Sequence, residues 1–113
     1  MKQILLNVLN SFGYPVFLQG SLGADTPFPP AFFTFATIAS EDISFDDTAY
    51  AAVYEFQVIF YADDPYTVED IAAQCRQKLI QAGFIAQGRG IDIPSEEDTH
   101  TGWVCNYSYI KED

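Results

Sequence analysis

Tyr50-Ala51-Ala52-Val53-Tyr54-Glu55-Phe56-Gln57-Val58-Ile59-Phe60-Tyr61, closed by Asp63-Asp64-Pro65, decides how this chain is read. Its even positions are Tyr50, Ala52, Tyr54, Phe56, Val58 and Phe60, while Glu55 and Gln57 fall on odd positions. Side chains of a strand alternate across the sheet, so this spacing predicts a strand with one face toward a core and a more polar opposite face. The Asp-Asp-Pro cluster ends it.

Downstream, Thr67 to Ala82 reads as a helix with Val68, Ile71, Ala72, Cys75 and Leu79 on one stripe. A capping box is expected between Thr67 and Asp70, satisfying N–H groups of the first turn. Arg76 and Lys78 lie toward the C-terminal end, where positive charge suits the helix dipole. Gly83 is placed to stop the helix in the left-handed conformation, with Phe84 supplying the accompanying apolar contact. A strand from about Phe84 to Gln87, a polar segment from Gly88 to Gly102 and a strand from Trp103 to Ile110 complete the chain.

Upstream, Ala31 to Ile38 is aromatic and β-branched and reads as a strand with Phe on both faces, so both faces should be covered. Ser40 to Thr48 is polar and reads as a hairpin connection. Residues 2–12 read as a helix with Ile4, Leu5, Val8, Leu9 and Phe12 on one face, stopped by Gly13 and Pro15. Val16 to Gln19 is a short strand. Gly20 to Pro30 is a loop, since two Gly and three Pro prevent regular pairing. The order α-β-β-β-α-β-β describes an α+β fold, a central antiparallel sheet with two helices packed on one face.

A chain of 113 residues is read as a single domain, 1–113. Folding at this size buries roughly 65% of the unfolded chain's surface, enough for a core without metal or disulfide support. Ten Phe and seven Tyr are many flat rings for so small a chain, which points some of them at a partner subunit. Five Lys and Arg stand against sixteen Asp and Glu, a net charge of −11. Phosphate backbones are bound by clustered cations, and only Arg76 and Lys78 are close in sequence, so tight direct nucleic-acid binding is not expected. The same shortage argues against an anionic membrane surface. Met1 to Phe12 shows no signal-peptide pattern and no span long enough for a bilayer, so the chain is expected to be cytoplasmic when made.

The residue types that carry chemistry are sparse. Cys75 falls on a helix stripe and Cys105 inside a strand, with no Cys-x-x-Cys and no zinc spacing, so both read as buried free thiols. His100, the lone His, lies beside Glu96, Glu97 and Asp98, a set that suggests a metal ligand or acid–base pair. It lacks a second His for a common catalytic zinc site and a nucleophile at recognisable spacing. A turn at Thr99-His100-Thr101-Gly102 that bonds its own backbone is the plainer role. Glu41, Asp42, Asp46 and Asp47 lack the calcium-loop spacing, and Gly88-Arg89-Gly90 lacks the Lys and the helix of a phosphate loop. The Phe and Tyr runs lack the interleaved cations of a nucleic-acid stacking face. No catalytic residue, cofactor or metal is expected.

Four short motifs stand in order: Pro30-Ala31-Phe32-Phe33-Thr34-Phe35; Phe60-Tyr61-Ala62-Asp63-Asp64-Pro65; Ala82-Gly83-Phe84; and Gly88-x-Gly90-x-Asp92 with Ser95-Glu96 and Thr99-His100-Thr101-Gly102. Together, over about residues 28–109, they resemble the tail terminator family of siphophages and Gram-positive prophages, whose members are also called tail completion, head–tail joining or minor capsid proteins. The resemblance implies a non-enzymatic homo-oligomer, a ring expected to be hexameric, that caps the tail tube and docks on the head completion or connector protein. It implies assembly in the host bacterial cytoplasm and a final place in the virion neck. A net charge of −11 suits a channel that passes DNA without holding it.

On that reading the two polar connections carry assembly, and Glu41, Asp42, Phe45, Asp46, Asp47, Arg89, Asp92, Glu96, Glu97, Asp98 and His100 are the interface residues. Two other classes are distinguishable by experiment. A non-viral cytoplasmic adaptor or small-ligand-binding α+β module would be monomeric with an aromatic-lined pocket. A small metal-dependent hydrolase would hold divalent metal at the His100 loop.

Overall fold

The computed structural model describes residues 2–19, 29–45, 48–94 and 100–112, with the backbone alone at 43–45, 48–50, 94 and 112. The elements are α1 (Lys2–Asn10), β1 (Val16–Leu18), β2 (Ala31–Phe45), β3 (Thr48–Ala62), α2 (Pro65–Gln81), β4 (Ile85–Pro94) and β5 (Thr101–Glu112). This is the α+β order expected from the sequence. The five strands lie side by side as β1-β2-β3-β5-β4. One correction applies: β1 runs parallel to β2, so the sheet is mixed rather than antiparallel throughout. Three residues of β1 carry no signal of direction, and α1 with β1 simply lays the N-terminal segment along the outer side of β2.

Register explains the core. Phe33 pairs with Phe60 and Phe35 with Val58, while Val58 and Phe60 pair on their other side with Cys105 and Trp103. These side chains share one face, and Leu5 and Leu9 of α1 with Val68, Cys75 and Leu79 of α2 bury it. The Phe33 and Phe60 rings meet at 4.7 Å. Burying one such ring contributes roughly 2–3 kcal/mol. On the opposite face Phe32, Thr34 and Ile59 are also buried, and Phe32 stacks on Tyr61 at 5.1 Å. Both faces of β2 are thus covered along its first half, as expected.

α2 is capped differently from the expectation. Asp64, extended just before Pro65, accepts from the Tyr66 N–H at 3.1 Å and from the Thr67 hydroxyl at 2.8 Å. A Pro at the first helical position has no N–H to satisfy, so the helix starts there and Thr67 falls inside the first turn. The other end behaves as read. Gly83 has φ 103°, its N–H donates to Ile80 O, and the Phe84 N–H donates to Leu79 O. These two bonds close a Schellman motif, and buried Phe84 provides its contact.

The strands are longer than the sequence pattern implied. The segment read as the Ser40–Thr48 connection is strand wherever it is described: β2 continues to Phe45, β3 starts at Thr48, and Asp42 pairs with Ala52. Gly88–Gly102 is likewise mostly sheet, since β4 continues to Pro94 and β5 begins at Thr101. In both places polar residues extend a ladder already nucleated by apolar neighbours. The helix at the N-terminus ends at Asn10, two residues early. The Gly20–Pro30 loop lies largely outside the described residues. No helix among the described residues is long and apolar enough to cross a membrane. The extents are 52 × 28 × 22 Å, and the long dimension reflects the paired β2–β3–β5 extension.

Candidate functional site

Among the described residues, the sequence-predicted interface positions fall in two separate parts of the sheet. Glu41 and Asp42 are exposed on β2, in the extension that runs past the core pairs of Phe33 and Phe35. Phe45 is described by its backbone, which pairs with Thr48. Asp46, Asp47, Glu96, Glu97 and Asp98 lie outside the described residues. Arg89 and Asp92 are exposed on β4, at the far edge of the sheet. Asp92 pairs with Trp103, which pairs with Phe60, which pairs with Phe33. Asp42 lies on β2 beyond Phe33, so the two acids are on the order of 30 Å apart along the strand direction. They cannot serve one small-molecule site.

The Gly88–Gly90 segment is a β-bulge rather than a phosphate loop. The β4–β5 register jumps between Gln87 and Ile91, and Gly88 and Gly90 have φ 79° and 90°. Arg76 Nε donates to Gly88 O at 3.0 Å, and Trp103 Nε1 donates to Arg89 O at 3.0 Å. The bulge is therefore held by side chains from α2 and β5, while the Arg89 side chain stays exposed. Only the Gly-x-Gly spacing signalled it in the sequence, since glycine inside a strand pattern marks bulges as readily as loops.

The turn read over Thr99-His100-Thr101-Gly102 includes a position outside the described residues; His100 itself reaches the segment entering β2. Its Nε2 lies 2.8 Å from the carbonyl oxygen of Pro29, and its ring lies 6.2 Å from that of Phe32. It ties the start of β5 to the segment entering β2. Among the described residues, no group of three or more His, Cys, Asp or Glu is placed to hold a metal ion. Cys75 and Cys105 are buried and free. Burial, with the Cys105 thiol nearby, pushes the Cys75 thiol up to about 12, and burial likewise raises the Tyr107 phenol above its ordinary range. Neither is a ready nucleophile.

Sequence reasoning missed the sheet face that carries no helix. Gln57, Asn106 and Gln87 form one row across β3, β5 and β4, at the floor of an open depression that Arg89 and Ile91 also line. Asn106 Oδ1 is buried there without a hydrogen-bond partner among the described residues. Ile85 and Ile91 flank the row on β4 and are exposed, Ile91 by 65%. Gln57, Asn106 and Gln87 each fall inside a strand read from the sequence, but their shared row depends on cross-strand register, which no local pattern gives.

What these surfaces can do is display backbone edges and side chains to another molecule. No protein-family model matches the chain, and no curated protein matches it either.

Proposed function

We propose that this protein is a structural component of a phage or prophage neck, a tail terminator whose copies form a ring that caps the tail tube and joins it to the head connector. The observation that carries this reading is the β2–β3–β5 extension. It projects Glu41 and Asp42 past the core pairs of the helix-covered face, where a neighbouring copy or the tube can meet them. The ordered motifs through Phe32-Phe33, Asp63-Asp64-Pro65, Gly83-Phe84 and His100-Thr101-Gly102 support it. Its partners are further copies of the chain, the tail tube protein and the head completion protein. A net charge of −11 suits a ring through which DNA passes. The protein acts without a catalytic step, cofactor or membrane.

Light scattering of the purified protein over a concentration series, with electron microscopy of the largest species, tests the reading. A closed ring of defined mass is the expected outcome. A monomer at all concentrations, with and without tail tubes, overturns it.

A further inference from the structure

Among the described residues part of the outer edge of β2 is unpaired, and the direction of each backbone group there is fixed by bonds nearby. The Phe33 N–H donates to Pro15 O at 2.9 Å, and the Gln19 N–H donates to Phe35 O at 2.8 Å. Phe33 and Phe35 therefore turn both backbone groups toward β1 and away from β3. Alternate residues of a strand point the same way, so Thr37 also points outward. The bulge after Thr37 then shifts the pattern by one. Thr37 pairs with Phe56 and Ser40 with Tyr54, which gives Ser40 and Asp42 the outward orientation and leaves Ala39 and Glu41 facing β3. β1 ends at Leu18, opposite Phe35. Beyond it, Thr37, Ile38, Ser40, Glu41 and Asp42 are all exposed. Their outward N–H and C=O groups have no strand partner among the described residues.

The other edge of the sheet is closed to such pairing. On β4 the outward residues are Ala86 and Asp92, with the bulge between them. The bulge carbonyls are already used, Gly88 O by Arg76 and Arg89 O by Trp103, and Pro94 has no N–H to offer. On β4 the engaged carbonyls and the proline keep the edge from recruiting a strand, whereas the bulge of β2 leaves the outward groups of Thr37, Ser40 and Asp42 without such partners among the described residues. The β2 stretch from Thr37 to Asp42 is the longest unpaired edge among the described residues, since β5 beyond Ser108 offers only the shorter run to Glu112.

Charge selects the occupant. Glu41 and Asp42 lie on opposite faces of the edge, and neither meets a cation among the described residues. A second copy pairing through the same edge would set acids against acids, which destabilises a ladder, and the net charge of −11 adds to that repulsion. A strand bearing Lys or Arg on both faces relieves both. We propose that the β2 edge from Thr37 to Asp42 accepts one extended, basic segment of a partner protein, which adds as a strand beyond the end of β1. Main-chain bonds to Thr37, Ser40 and Asp42 hold it, and cations on its alternate faces meet Glu41 and Asp42. The inference rests on the edge itself and stands whether or not the chain is a neck protein.

Amide hydrogen exchange by NMR, read at a concentration where the protein is monomeric, tests it with two probes. These are a nine-residue peptide with paired Lys residues on both strand faces, Thr-Lys-Lys-Val-Thr-Lys-Lys-Val-Thr, and its counterpart with Glu for Lys. In the free protein the amides of Ala39 and Glu41 are expected to exchange slowly and those of Thr37, Ser40 and Asp42 quickly. The Lys peptide is expected to slow the latter three at least tenfold, and the Glu peptide to leave them unchanged. Ser40→Pro, which deletes an outward N–H, is expected to weaken the Lys peptide at least tenfold. Glu41→Lys with Asp42→Lys is expected to reverse the preference between peptides, and it serves as the deciding variant if Ser40→Pro does not fold. Slow exchange of Thr37, Ser40 and Asp42 in the free monomer overturns the proposal, as does an equal response to both peptides. Protection that grows with protein concentration alone also overturns it, by showing that a second copy is the occupant.

Discussion

The indole Nε1 of Trp103 donates to the carbonyl oxygen of Arg89 at 3.0 Å, and the bulge of β4 is fitted around that bond. Gly90 has φ 90°, and a Cβ there would run into the Trp103 indole nitrogen and lie 2.6 Å from Val104 O. Gly88 has φ 79° but open space around it. The two glycines therefore differ in a measurable way. Gly88→Ala is expected to lose about 1 kcal/mol from the left-handed backbone alone. Gly90→Ala adds the displacement of Trp103 and of a backbone carbonyl, for a total of about 2–4 kcal/mol. Urea denaturation of both variants checks this, and equal losses would remove Trp103 as the constraint.

His100 bridges two segments through Pro29 O and the Phe32 ring. Replacing it with Ala removes a hydrogen bond and part of that packing, so a loss of about 1–2 kcal/mol is expected. The metal content of the purified protein, read by elemental analysis, is expected to be the same for wild type and variant. A hydrolytic activity that disappears with His100→Ala would contradict both the bridging role and the non-enzymatic proposal.

The helix-covered face was legible because Phe33, Phe35, Phe56, Val58 and Phe60 alternate with period two and face a stripe of Val68, Cys75 and Leu79. The Gly83–Phe84 stop was legible because its chemistry is local. What stayed hidden depends on pairing rather than on pattern. Ser40, Glu41 and Asp42 are polar on both sides of the strand, so no alternation marks them, and they are strand because β3 lies beside them. Asp64 outranks Thr67 as cap because Pro65 sets where the helix begins. A loop reading of the two polar segments does not hold at Glu41, Asp42, Arg89 and Asp92, which are strand residues.

Stability is expected to fall in base through Cys75. Its thiol, ordinarily near 9.0, is pushed up to about 12 in the folded protein, chiefly by burial. Between those values the unfolded chain loses this proton and the folded chain keeps it. Unfolding therefore becomes easier as pH rises through that window, by about 1.4 kcal/mol per pH unit from this group at most. The raised Tyr107 phenol acts in the same direction. Urea titrations at pH 8, 9.5 and 11 should show the decline, and Cys75→Ala should flatten its slope while lowering stability at pH 8, where the thiol is protonated in both states. An unchanged slope would mean that Cys75 is not the titrating group.

Duplex DNA at physiological salt is expected to show no retardation at micromolar protein. Five cations stand against sixteen acids, and Arg76 is engaged with Gly88 O while Lys78 sits over the Phe12 ring at 4.4 Å. Retardation that weakens steeply with salt would count phosphate contacts and reveal a basic surface that these residues do not provide.

The extension of β2 and β3 should be separable from the fold. Glu41 and Val53 pair with their backbone groups turned toward each other, the geometry that a two-residue turn closes. Replacing residues 42–52 by Asn-Gly therefore leaves Phe33, Phe35, Phe56, Val58 and Phe60 in register. Of the removed residues whose side chains are described, only Ala51 is buried, and on β5 Lys111 and Glu112 lose their partners. The cost is on the order of 1–2 kcal/mol, and a cooperative thermal transition should persist. If the extension carries assembly, the trimmed protein stays monomeric by light scattering where the full chain forms a ring, and it fails to join tails to heads in a complementation assay. A trimmed protein that folds and still assembles would move the interface elsewhere, most directly to the helix-free face around Ile85 and Ile91. A trimmed protein that does not fold would show instead that the extension belongs to the core, against the pairing described here.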